Sequence, residues 1–161
     1  MRKRQQQGFS LIELLIVVAI ILIIAAIAVP NLMAARMAAN ESSAAGSLRT
    51  ISTSEISYAA TYPDLGYTDL GSLGGANPCT PSTTSGCFLD SVLSNGAKEG
   101  YQFTVTPGTN TNGANLTYVS LADPSGLNST GTRSFCSDQS GVIYYLSNAT
   151  GCTPDTGSVL Q

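Results

Sequence analysis

The sequence predicts an α+β protein in which a long N-terminal α-helix, its first half transmembrane, packs against a small, about four-stranded antiparallel β-sheet. Three observations carry this reading. An apolar run fills residues 9 to 29 and is broken only by Ser10 and Glu13. Ala-rich, helix-forming sequence continues past Pro30 as far as a stop signal at Pro63. The chain then closes with four short segments rich in β-branched and aromatic residues, separated by turn-forming residues.

Residues 1–8, MRKRQQQG, are short, basic and polar, and read as a leader that is cleaved off. Residues 9–30 form the membrane-spanning element. Leu14 to Val29 are sixteen consecutive apolar residues, and the run from Phe9 makes a helix of roughly 30 Å, the hydrocarbon thickness of a bilayer. Arg2, Lys3 and Arg4 precede the run and the next basic residue is Arg36. The positive-inside bias therefore keeps the N-terminus cytoplasmic and sends the rest across the membrane. Pro30 lacks an N–H and clashes with the preceding turn, so a kink or a locally melted stretch is expected near Ala25 to Pro30.

Residues 31–62 read as an amphipathic second half of the same helix. Leu48, Ile51, Tyr58 and Tyr62 form its apolar stripe, with Arg36, Glu41, Arg49 and Glu55 assigned to the remaining face. Gly46 and the many Ser and Thr weaken this helix, so the stripe needs a partner surface. Residues 63–99, rich in Gly and Pro, read as an irregular connecting loop with one helical turn near Asp90 to Leu93. Residues 100–161 hold the sheet, with strands expected at 101–106, 116–122, 132–137 and 142–147 and a tight turn at 138–141.

Composition narrows the function. Net charge is −3, and loss of the leader takes it to about −6, which disfavours a phosphate-neutralising surface and predicts no nucleic-acid partner. The chain has no His, which removes the commonest general base and metal ligand. Carboxylates are scattered, no catalytic constellation is present, and neither an enzyme nor a cofactor is expected. Asp123 and Asp138 lack calcium-loop spacing and read as turn residues. The cysteines show no C-x-x-C pattern, so a metal site is not expected.

Glu13 is the anomaly of the apolar run. It could simply reach water at the headgroup level. Alternatively it seeks a cation, because an ionised carboxylate near lipid costs up to ~3 kcal/mol on insertion scales. A cut between Gly8 and Phe9 would create an α-amino group about one helical turn from Glu13. In a staggered bundle, the amine of one chain could meet the carboxylate of the next and fix the register.

GFSLIELLIVVAIILIIAAIAVPNLM resembles the N-terminal region of type IV prepilins and type II secretion pseudopilins, in Gly8, Phe9, Glu13, the unbroken apolar helix and Pro30. The resemblance implies a pilin-like fold and a structural subunit of a type IV pilus. It implies cleavage between Gly8 and Phe9 by a prepilin peptidase, with N-methylation of Phe9. Glu13 would pair with a neighbouring Phe9 amine, and Pro30 would lie where the helix loosens in the filament. The implied partners are other pilin subunits, the peptidase, membrane lipid before assembly, and indirectly a platform protein and a motor ATPase. The implied location is the inner membrane for the precursor and then an extracellular filament. A secretion pseudopilin is the first alternative, and a monomeric membrane-tethered extracytoplasmic binding domain the second.

A rival processing pattern, Ala26-Ile27-Ala28, fits an ordinary secretory cleavage site, but Pro30 just beyond it and Glu13 at the front of the run disfavour that cut. The four cysteines fall in the translocated part, where disulfides are permitted. Three pairings are open to them. The sequence-local one, Cys79–Cys87 with Cys136–Cys152, is preferred, and its second bridge falls where the family often has a disulfide-bounded C-terminal loop. Asn40, Asn115, Asn128 and Asn148 stand in N-x-S/T triplets, which so Asn- and Thr-rich a chain produces by chance.

Overall fold

The structure, a computed structural model, describes residues 9–108 and 113–160; Gly8 and the rest of the leader lie outside the described residues. The chain divides into two compact units, Met1–Ala35 and Arg36–Gln161. The described elements are α1 (Leu11–Thr61), α2 (Leu70–Leu73), α3 (Ser91–Ser94), β1 (Ala97–Lys98), β2 (Tyr101–Gly108), β3 (Thr117–Pro124), β4 (Arg133–Asp138), β5 (Ile143–Ser147) and β6 (Ser158–Val159). The class is α+β, as the sequence predicts.

Within the first unit, α1 passes through Pro30 as helix. The melted stretch expected near Ala25 to Pro30 is therefore not present. Proline removes a single ladder bond, the one to the Ala26 carbonyl, while Asn31 Nδ2 donates to the neighbouring Ile27 carbonyl at 3.2 Å. One interrupted bond in a 51-residue helix does not outweigh the cooperative ladder on both sides of it.

In the second unit, burial on α1 begins at Glu41 and recurs at Ala44, Ala45, Leu48, Ile51, Ser52, Glu55 and Tyr58. This is the three-to-four spacing of one helix face. Ala44 and Ala45 let the sheet approach closely, while Leu48, Ile51 and Tyr58 fill the space between. Glu41 and Glu55 thus belong to the buried face, not to the outer face where the stripe of apolar residues put them. The helix ends at Thr61, ahead of Pro63, and Tyr62 packs against the core from a half-buried position.

The sheet has six strands in the order β1-β2-β3-β4-β5-β6, all antiparallel, rather than about four. The two additional strands are two residues each, too short to show any alternation. The four expected strands all form, and β2 alternates cleanly, with Tyr101, Phe103 and Val105 inward and Gln102, Thr104 and Thr106 outward. Register aligns Phe103, Ala122, Phe135 and Tyr145 as one cross-strand row beneath α1.

β4 is buried on both faces from Ser134 to Ser137, because the C-terminal segment crosses the outer face before adding β6 at the edge. That segment is held by Cys136–Cys152, by the Cys152 N–H donating to Ser134 Oγ at 3.0 Å and by the Gly151 N–H donating to Asp123 Oδ1 at 2.9 Å.

Residues 63–99 are more ordered than an irregular loop. Asp69 caps α2, accepting from the Ser72 N–H, and Asp90 caps α3, accepting from the N–H groups of Val92 and Leu93. Leu70, Leu73, Leu89 and Leu93 then enter the core. Gly66 sits at φ +71° against the backbone of Asn115, where any side chain would collide with the Asn115 carbonyl. Cys79 and Cys87 close a small loop whose Thr83 carbonyl accepts from the Tyr58 hydroxyl at 2.5 Å.

Candidate functional site

The first unit presents its site at the start of α1. Ser10 is the residue before the helix and Glu13 is the third residue in it, and the Ser10 backbone N–H donates to Glu13 Oε2 at 2.9 Å. This is half of a capping box, in which a carboxylate three residues into a helix turns back to satisfy an orphan donor. The signal S-x-x-E is plain in Ser10-Leu11-Ile12-Glu13. The negative charge also lies in the first helical turn, where the macrodipole favours it. Glu13 therefore has a partner within its own chain.

Around it the surface is apolar on every side. Phe9 is 84% exposed, and Leu11, Leu15, Ile20, Ile24 and Met33 are all more than half exposed. Mean hydropathy over the best 18-residue window is 3.3, and none of that window is buried. Such an all-round apolar helix needs lipid or other apolar helices as its environment. Pro30 lies in the same helix, 17 residues after Glu13 by sequence position, and the structure does not bring the two together.

The segment that holds this geometry is the one that matches known proteins. The prokaryotic N-terminal methylation motif matches residues 3–29. Over this segment the chain is similar to type IV pilins. The type IV wide pilus major component PilA4 of Thermus thermophilus is 63% identical over 38 residues, which are 24% of this chain and 29% of the relative. The chain thus spans about 29% of the length of the curated relative it matches. No solved structure matches it.

Within the second unit, two buried carboxylates of α1, Glu41 and Glu55, reach the rest of the fold. Glu41 Oε1 accepts from the Thr132 N–H and hydroxyl, each at 2.8 Å, and Oε2 accepts from Arg133 Nε at 2.8 Å and pairs with a terminal guanidinium nitrogen at 2.7 Å. Burial pushes the Glu41 carboxyl up, but the Thr132 donors and the Arg133 charge outweigh it and hold the group below the usual carboxylate range. Arg133 also lies 5.7 Å from the Phe135 ring centroid and 5.6 Å from that of Tyr145, so its cation is stabilised on aromatic faces as well.

Glu55 is different. It is fully buried, its Oε2 accepts only the Thr68 N–H at 3.1 Å, and Oε1 has no partner. Burial raises its carboxyl to about 7, the Thr68 bond opposes the rise and the nearby Asp69 charge adds to it. At the junction of α1 with the segment leading into α2, the group therefore keeps its proton in acid solution and releases it near pH 7.

Nothing in composition or a motif scan marks either carboxylate as buried. The available signal is spacing: Glu41, Leu48, Glu55 and Tyr62 are seven apart and share a face. Among the described residues there is no cluster of three or more His, Cys, Asp or Glu able to hold a metal.

Proposed function

We propose that this chain is a structural subunit of a type IV pilus, polymerised through α1. The observation that carries the reading is the apolar surface of residues 9 to 33 with a single carboxylate, Glu13, at its front. As a stored precursor the helix lies in the membrane, with residues 1–8 cytoplasmic. A prepilin peptidase cuts between Gly8 and Phe9, and the new Phe9 amine is methylated. On assembly the same apolar surface leaves lipid and packs against other subunits, with Glu13 meeting the Phe9 amine of a neighbour.

The capping bond supports this chemistry. A carboxylate aimed back over the first turn is already oriented toward the place where a positive N-terminus would lie. Extraction from lipid requires work, which a motor ATPase acting through a platform protein would supply. The chain's role is structural, and its filament lies outside the cell, where the two disulfides are stable.

Mass analysis of the mature chain, together with electron microscopy of sheared surface material, tests the reading. N-methyl-Phe9 as first residue and fibres containing the chain are expected. A mature start at Val29, or a chain confined to membranes with no fibre, would overturn it.

A further inference from the structure

The second unit carries a groove of about 290 Å³ between α1 and the sheet, floored by Ala45, Phe135 and Leu160 and edged by Arg49 and Arg133. Among the described residues its only carboxylate, Glu41, is spent on Arg133 and Thr132. Arg49 is exposed and, among the described residues, has no carboxylate within salt-bridge distance. Among the described residues the groove thus offers an unpaired cation beside one accessible apolar side chain, the half-buried Leu160.

Charge is distributed unevenly over this unit. Arg36, Arg49 and Arg133 lie on α1 and the strand end beside it, whereas Asp64, Asp69, Asp90, Glu99, Asp123, Asp138 and Asp155 lie in loops, turns and the outer sheet, with Lys98 of β1 the one cation among them. Most of these carboxylates have structural partners. Asp69 and Asp90 cap helices, Asp123 accepts from Gly151, and Asp138 accepts from Ser140. Asp64 has no hydrogen bond among the described residues, is exposed, and stands next to Leu65, itself 41% exposed. An unpartnered acid beside an exposed apolar side chain is the chemical complement of the groove.

We infer that the groove at Arg49 receives the Asp64–Leu65 turn of a second copy of this chain. Asp64 pairs with Arg49 and Leu65 packs against Leu160. The contact joins two different patches, so it is heterologous and propagates instead of closing on itself, as a fibre requires. The inference rests on the filament reading above and adds to it a contact made by the second unit, independent of Glu13.

One chain cannot satisfy its own groove. Arg49 and Thr61 are separated by about 18 Å of helix, and the Leu65 and Gly66 N–H groups hold the turn at the helix end by donating to the Tyr62 carbonyl. A disulfide needs Cα atoms within roughly 7 Å, so an Arg49→Cys/Asp64→Cys chain can link those positions only between copies.

Fibres are sheared from cells expressing the full chain and its variants. The wild type yields fibres, Arg49→Asp lowers the yield roughly tenfold by setting like charges face to face, and Arg49→Asp/Asp64→Arg restores it. The double-cysteine chain gives a non-reducing ladder of multimers in which peptide mapping finds position 49 joined to position 64, while either single cysteine gives dimers at most. Wild-type fibres with undiminished Arg49→Asp yield and no 49–64 link would overturn this contact while leaving the filament reading intact. Absence of wild-type fibres would overturn the filament reading itself.

Discussion

Glu41 and Arg133, 92 residues apart in the chain, meet in a two-point ion pair that joins α1 to β4. The pair is asymmetric. The Glu41 side chain is 6% exposed and that of Arg133 38%, so the carboxylate depends on its protein partners whereas the guanidinium can still reach water. The two Thr132 donors complete the carboxylate's shell, which is the condition under which a buried pair repays its desolvation.

Removing the arginine should therefore cost more than neutralising the acid. Arg133→Ala strands the Glu41 charge and is expected to destabilise the second unit by about 3 kcal/mol, against about 1–2 kcal/mol for Glu41→Gln, which keeps an acceptor for Thr132. Urea unfolding of residues 36–161 would rank them, and equal losses would show that the pair acts only through its charge.

Glu55 makes stability depend on pH. Its folded value of about 7 lies above the ordinary 4.5, so the folded state binds a proton that the unfolded state has released. Stability is then fully present below about pH 4.5, declines as pH rises toward 7, and is flat above, with a total loss on the order of 3 kcal/mol. Glu55→Gln should abolish this slope and exceed the wild type at pH 8. A wild-type melting temperature that holds constant from pH 4.5 to 7.5 would refute the raised Glu55 value.

The two disulfides should differ in access. Cys136 and Cys152 are 0% and 2% exposed, whereas Cys79 lies in an exposed loop. Mild thiol treatment of the folded protein should open Cys79–Cys87 alone, as mass spectrometry after alkylation would show. Replacing both Cys136 and Cys152 with Ser should cost about 3 kcal/mol, the value expected for closing a loop of this length, and should raise hydrogen exchange first in residues 148–157.

At the front of α1, Glu13→Ala is expected to leave peptidase cleavage and membrane insertion intact while filament yield collapses. Glu13→Gln separates two roles, since it retains an acceptor for the Ser10 N–H but carries no charge. If capping alone mattered, the Gln variant would assemble normally.

The fold was largely legible because its main parts carry strong periodic or compositional signals. The apolar run, the stop at Pro63 and the alternation of Tyr101, Phe103 and Val105 each mark an element directly. β1 and β6 gave no such signal, since two residues show no period and their pairing is decided by the neighbouring strand. α2 and α3 depend on the caps Asp69 and Asp90, which resemble any loop aspartate until their donors are in place. Burial of Glu41 and Glu55 contradicts a simple apolar-in rule and is decided by Thr132, Arg133 and Thr68, all remote in sequence. The candidate site was legible as residues but not as geometry: Glu13 stood out as a lone charge, while its bond to Ser10 emerges only once the helix start is built.

That bond changes the thermodynamics of any later pairing. Glu13 in a solitary chain engages the Ser10 N–H through Oε2 alone, and an ionised carboxylate keeps further acceptor positions open beside such a bond. Were a neighbour's amine to approach, it would meet a side chain whose rotamer is already fixed by the cap. The entropy of ordering that side chain is then spent in the isolated subunit, ahead of any encounter.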